Sequence, residues 1–156
     1  MIRAWLLPDI VSPEQRSRMM SGIRGKDTKP EMMLRRGLHA LGFRFRLHDR
    51  KLPGTPDLVF PKYHAVILVH GCFWHGHDCH LFRLPGSRTE FWRTKIERNR
   101  AVDARTQLVL RDAGWRVGTV WECAMRGKGR LSMEEILDTC ASWLKSDASE
   151  LEIRGQ

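Results

Sequence analysis

AVILVHGCFWHGHDCH, residues 65–80, runs from one kind of sequence into another without a spacer. Its first five residues are aliphatic throughout, which suits a strand buried on both faces. Such a strand needs helices above and below it, so this run sets the fold class. The remainder packs two cysteines, four histidines, a Phe and a Trp into eleven positions. Cys72, His77 and Cys79 have the spacing of soft-metal ligands. Structural zinc takes four N/S ligands in a tetrahedron, and thiolates select against magnesium. Cys123 supplies the fourth if the strand ending at Trp121 lies parallel to 65–69, since both then finish at one end of the sheet. His75 and His80 compete for the nitrogen position. The plainer reading is a set of buried free thiols, and Cys140, on the apolar face of a helix, reads as core.

Working outward, Ser12-Pro13-Glu14-Gln15 has the signals of a helix start, and Thr28-Lys29-Pro30-Glu31 has those of a second. Leu34, Leu38 and Leu41 line one face of that second helix, and Gly42 stops it. Phe43–Leu47 alternates as a half-buried strand, and LPGTP (52–56) turns into the strand Asp57–Phe60. Thr89 to about Ala113 reads as a long basic helix ended by Gly114, followed by the strand WRVGTVW (115–121). Ser132 caps a last helix with Met133, Ile136, Leu137, Cys140 and Leu144 inward. A helix crossing between buried strands predicts a three-layer α/β/α sandwich around a central mixed sheet.

The chain has 156 residues, 42% of them hydrophobic and 29% charged, which predicts one domain over 1–156. Residues 1–11 read as an N-terminal extension, and 131–156 as a C-terminal helix and acidic tail. No apolar run approaches the roughly 18 to 20 residues that span a bilayer. MIRAWLLPDIV lacks a long apolar core and a small-residue cleavage site, so a cytoplasmic protein is expected. Net charge is +9, divided as +7 over 1–56, +6 over 57–130 and −4 over 131–156. A basic body suits a polyanion, although a solvated basic surface explains charge alone equally well.

Three carboxylates have both a chemical and a bland reading. Asp57 opens a strand beside a basic surface, where a hard cation could bind, yet Asp after Pro is ordinarily a turn residue. A capping box explains Glu31, and a Lys or Arg one turn away could explain Asp103. His70 ends the buried strand and His75 follows in the loop, where each serves as well for packing or zinc as for proton transfer. Together they supply what phosphodiester hydrolysis needs: a carboxylate for a metal and a group that transfers protons near neutral pH. Phe73 and Trp74, held stiff by a zinc-braced loop, could be apolar wedges for a duplex, with Phe91-Trp92 at the start of the basic helix beside them. They could equally cover the zinc or pack on the basic helix.

LPGTPDLVF, AVILV, HGCFWHGHDC, RTEFW and GWRVGTVWEC, in this order and at these spacings, resemble the very short patch repair (Vsr-type) mismatch endonucleases from about residue 12 to about 130. The resemblance implies a restriction-endonuclease-like fold. It also implies a magnesium-dependent nick 5′ of the mismatched T in T·G pairs, the product of 5-methylcytosine deamination. Asp57 matches the family's Mg2+ ligand, and Val69 a position that lends its backbone carbonyl to Mg2+. His75 matches the catalytic histidine and Asp103 its acidic partner, while Glu31 and His70 match residues acting on metal-bound waters. Cys72, His77, Cys79 and Cys123 match the ligands of a structural Zn2+. Phe73, Trp74 and Trp92 match intercalating aromatics, and Met20 a wedge from the opposite groove. The wider superfamily's acid-x-Lys pair would fall on Val69 and Gly71, so a histidine-based site replaces it.

The expected partner is double-stranded DNA with a T·G mismatch, met in the nucleoid by a monomer, with other mismatch-repair proteins as further contacts. A zinc-stabilised module that binds distorted duplex without cutting is the alternative from another class. A related nuclease with another target is the third reading.

Overall fold

The computed structural model describes residues 27–156. The Ser12 helix start, the 1–11 extension and Met20 lie outside the described residues. Helix α1 spans Lys29–Ala40, capped as expected: Thr28 Oγ1 accepts from the Glu31 N–H at 3.4 Å, and Pro30 stands in the first turn. Leu34 and Leu38 are fully buried on it, but Leu41 is 53% exposed. Leu41 is the C-cap, where the chain leaves the helical path, so the periodicity that places Leu34 and Leu38 no longer applies to it.

The sheet has five strands in chain order: β1 (Arg46–Leu47), β2 (Leu58–Phe60), β3 (Ala65–His70), β4 (Arg116–Trp121) and β5 (Glu150–Ile153). β1–β2 and β2–β3 are antiparallel pairs, whereas β3–β4 and β4–β5 are parallel. The mixed sheet is the one expected, with two differences. The alternating segment Phe43–Leu47 is ladder only at its end, because the Phe43 N–H is spent on the Leu38 carbonyl at the close of α1. Phe43 and Phe45 still point inward, each edge-on to Phe60. The acidic tail carries a fifth strand, whose Ile153 pairs with Val120 and is buried.

Strand periodicity sorts the core into two layers. Leu58, Phe60, Ala65, Ile67 and Val120 face α1 and helix α4 (Met133–Leu144), where they meet Leu34, Leu38, Ile136, Cys140 and Leu144. Val59, Val66, Leu68 and Val117 face helix α2 (Thr89–Asp112) and meet Leu110. Gly118 is small for a packing reason: a Cβ there would stand 3.1 Å from the Trp143 ring laid across β4. Truncating a fully buried leucine such as Leu34 to Ala should cost about 2–5 kcal/mol. Helix α3 is one turn, Glu122–Met125, directly after β4. No helix among the described residues is long and apolar enough to cross a membrane.

Candidate active site

The parallel register sets His70 opposite Trp121, so β3 and β4 end together and deliver the loop 71–80 and α3 to one sheet edge. Asp57 arrives there from β2, which runs antiparallel to β3. Its Oδ2 accepts the Val69 N–H at 2.7 Å, which ties the carboxylate to the end of the buried strand. Burial drives the Asp57 carboxyl up to about 7; the Val69 N–H opposes the rise, and the neighbouring Glu31 carboxylate adds to it. A buried carboxylate facing a second one calls for a cation, so the donors here fit a hard divalent metal.

Helix α2 crosses this edge and brings Asp103 to the loop. His75 Nδ1 lies 2.5 Å from Asp103 Oδ2, a contact that holds the Nδ1 proton and leaves Nε2 as the free nitrogen. The bland reading of Asp103, pairing with a base one turn away, gives way to this contact. The His70 ring stacks on His75, with centroids 3.9 Å apart and planes within 8°. Burial, with His75 adding to it, pushes His70 down to about 3, so its ring is neutral at physiological pH. Nδ1 of His70 is buried without a hydrogen-bond partner among the described residues, which suits a nitrogen kept for a water or ligand. Asp57, Val69, His70, His75 and Asp103 line one cleft of about 480 Å³.

Glu31 is only 1% exposed, far too buried for a residue that merely caps a helix. Its Oε1 accepts the Asp27 N–H at 3.2 Å, while its Oε2 takes Arg35 Nη1 at 3.0 Å and His48 Nε2 at 2.8 Å. The sequence reading missed His48, which also lines the cleft. Its only signal was position: a polar residue between an alternating segment and the LPGTP turn, with no motif around it.

On the other side of His75 stands the cysteine–histidine cluster. Donor atoms of Cys72, His77, Cys79 and Cys123 all lie within 4.8 Å of one another. Sγ of Cys72 and of Cys123 are each 3.6 Å from His77 Nδ1. A tetrahedral zinc with Zn–S of about 2.3 Å and Zn–N of about 2.0 Å separates S and N by about 3.5 Å, so the cluster is compatible with zinc. Burial pushes the Cys72 and Cys123 thiols up, so thiolates there require a cation's charge. His75 is turned to Asp103 instead, and His80 lies against Gly127, so His77 supplies the nitrogen of this cluster. His77 stacks on Trp121 at 3.9 Å. The C-terminal segment closes the cluster: Gly155 donates its N–H to Cys123 Sγ at 3.3 Å, and Arg154 holds Asp78. A Cβ on Gly155 would stand 2.3 Å from the Cys123 carbonyl oxygen, so only glycine fits.

Phe73, Trp74 and Trp92 form an aromatic group, with ring centroids 5.2 to 5.9 Å apart. Lys95 Nζ stands 5.7 Å from the Trp74 centroid, and Asn99 holds the Trp74 carbonyl at 2.8 Å. Arg100 similarly bonds the Gly76 carbonyl. Trp92 is buried near the start of α2, and the half-buried Phe73 and Trp74 pack against it. Asn99 and Arg100 thus tie the loop to α2 on both sides of His75.

The family described as DNA mismatch endonuclease Vsr matches residues 8–81. The chain is 49% identical over 134 residues to the type II nicking enzyme V.XorIIP of Xanthomonas oryzae, covering 85% of this chain and 98% of that one. It is 41% identical over 150 residues to the DNA mismatch endonuclease Vsr of Escherichia coli, covering 96% of each. A third relative, the type II nicking enzyme V.NmeAIP of Neisseria meningitidis, is 41% identical over 122 residues, covering 78% of this chain and 87% of its own.

Proposed function

The chain belongs to the Vsr family of DNA mismatch endonucleases, and from that premise we propose that it is a Mg2+-dependent, strand-specific endonuclease acting on mismatched DNA. Its substrate is double-stranded DNA bearing a T·G pair left by 5-methylcytosine deamination. It nicks 5′ of the mismatched T and so initiates very short patch repair. It acts as a monomer, in the cytoplasm at the nucleoid, with other mismatch-repair proteins as its further contacts.

The observation that carries this reading is the convergence of Asp57, His70 and the His75–Asp103 pair in one cleft, with the packed aromatics Phe73 and Trp74 on the loop that carries His75. Asp57 and the Val69 carbonyl would hold Mg2+, which shields phosphate charge and acidifies a bound water. Asp103 fixes the imidazole of His75, whose Nε2 exchanges a proton with the reacting groups. His70, neutral and buried, orients a water through its unpaired nitrogen, and Glu31 acts from the opposite wall. Cys72, His77, Cys79 and Cys123 would hold a structural Zn2+ that keeps the loop stiff. Phe73, Trp74 and Trp92 enter the base stack beside the mismatch, with Met20 wedging from the other groove. Unstacking costs a few kcal/mol per step, which a preordered group meets with little further entropy loss.

A strand-resolved nicking assay tests this, using T·G duplexes in several CG-rich contexts, matched controls, and Mg2+ at fixed salt. One nick 5′ of the mismatched T, absent with EDTA and in Asp57→Ala, is the expected result. Tight binding without cleavage would favour the binding module. Equal cutting of matched duplex would keep the nuclease and remove the repair role.

A further inference from the structure

The cleft has two histidine–carboxylate pairs, one on each side of Asp57. His75–Asp103 forms one wall; His48 lines the other and bonds Glu31, which is buried behind it. The second pair is joined to Asp57 by one hydrogen bond and one longer approach. The His48 N–H donates to the Asp57 carbonyl at 3.2 Å, and His48 Nε2 stands 3.9 Å from Asp57 Oδ1 while bonding Glu31 Oε2 at 2.8 Å. Asp57 Oδ2 is already held by the Val69 N–H, so His48 stands at the other oxygen. The His48 backbone is left-handed, with φ at 47°. A non-glycine residue held there outside a helix marks a position that its surroundings impose, here by the Asp57 carbonyl and the Glu31 carboxylate together.

The same atoms argue against a separate metal site on this wall. Ligand atoms of Asp27, Glu31 and His48 lie within 4.8 Å of one another, but Arg35 bonds both Asp27 Oδ1 and Glu31 Oε2. Its guanidinium takes the place that a second cation would need. What remains is a spacer. The Asp57 and Glu31 carboxyls are close neighbours, and they repel once both ionise, so a donor held on Glu31 steadies the pair.

We propose that His48 is a positioning residue of the nicking reaction, tying the Asp57 main chain to the buried Glu31 carboxylate so that the Asp57 carboxylate meets a divalent cation at a fixed place. This rests on the reading of Asp57 as the metal anchor. The bridge works through a donor at the Nε2 position, which a glutamine side-chain amide can also supply; a leucine fills the volume without donating. Residues that orient a metal site from outside it change metal affinity by about 10- to 100-fold when removed.

The test measures nicking of the T·G duplex against Mg2+ concentration for wild type, His48→Leu, His48→Gln and Asp57→Ala. Folding is checked by circular dichroism, and DNA affinity is measured in EDTA. His48→Leu should raise the Mg2+ needed for half-maximal nicking at least about tenfold. DNA affinity without metal should stay unchanged, and His48→Gln should recover most of the loss. A Mg2+ dependence unchanged in folded His48→Leu overturns the proposal, as does a folded His48→Gln that recovers nothing. If His48→Leu does not fold, His48→Gln decides: a near wild-type Mg2+ curve supports the bridge, and a curve shifted tenfold overturns it. Failure of the wider reading is distinguishable, because wild type itself would then not nick, or Asp57→Ala would nick as wild type does.

Discussion

The two clusters at the β3–β4 edge are built from one stretch of chain and behave in opposite ways. The Cys72–His77–Cys79–Cys123 cluster is closed: its donors are soft, mostly buried, and sealed by Gly155 and Arg154. The Asp57 cleft is open: its donors are hard, its carboxylates crowd each other, and one buried nitrogen of His70 has no partner among the described residues. A structural metal site gains from saturation, because binding energy becomes folding energy. A catalytic site needs unsatisfied groups where the substrate will stand. The loop 71–76 joins the two, so a metal held at the first would fix the place of His75 at the second.

The sharpest way to break this contrast is to empty the open site. Asp57→Ala should lower nicking by at least about a thousandfold while leaving DNA binding and zinc content intact, measured by single-turnover nicking and metal analysis. Loss of zinc from this variant would mean the two clusters are not separable. His75→Ala should cost about 10²–10⁴ in the same assay, with His75→Gln no better, since an amide cannot transfer the proton.

Emptying the closed site should act on folding first. Cys123→Ser should lose the zinc and several kcal/mol of stability. Thermal melts with and without a chelator check this, and a variant that keeps its melting temperature but stops nicking would move the cluster into the catalytic machinery.

The pH dependence separates the clusters more finely. The Asp57 carboxyl is raised from an ordinary 3.8 to about 7, so the folded, metal-free protein binds its proton more tightly than the unfolded chain does. That stabilisation is complete below about pH 4 and is lost as pH rises through about 7. Asp57→Asn should therefore melt higher than wild type above pH 7 without Mg2+, and close to it near pH 4. Saturating Mg2+ should erase the difference by stabilising the ionised wild type. The smallest effect is expected at the seal: Arg154→Ala breaks an exposed pair with Asp78 and should shift the melting temperature little at physiological salt. Gly155→Val, which collides with the Cys123 carbonyl, should release zinc faster to a chelator.

Local rules made much of this molecule legible in its sequence. The caps at Thr28 and Ser132, the stop at Gly114 and the aliphatic run 65–69 each act within a few residues, so the helices and the central strand could be placed without any neighbour. The ligand spacing from Cys72 to Cys79 is local in the same sense. Where a pattern depended on a partner, the reading failed. Leu41 fits the helical period but sits where the helix ends, and Phe43 alternates correctly but has its N–H taken by Leu38. The strand in the acidic tail carries glutamates at 150 and 152, and forms because β4 offers it a free edge.

The sequence by itself determined the element types, the two-sided burial of β3 and the inventory of soft and hard donors, because each follows from side-chain chemistry and short-range periodicity. Only the tertiary structure decided which donors meet. Parallel pairing of β3 with β4 brings Cys123 to Cys72, and the crossing of α2 delivers Asp103 to His75 rather than to a base on its own helix. The β1–β2 pairing turns His48, which has no motif of its own, onto Glu31 and Asp57. These contacts join residues far apart in the chain, and their geometry is set by how the layers pack, which no local spacing encodes.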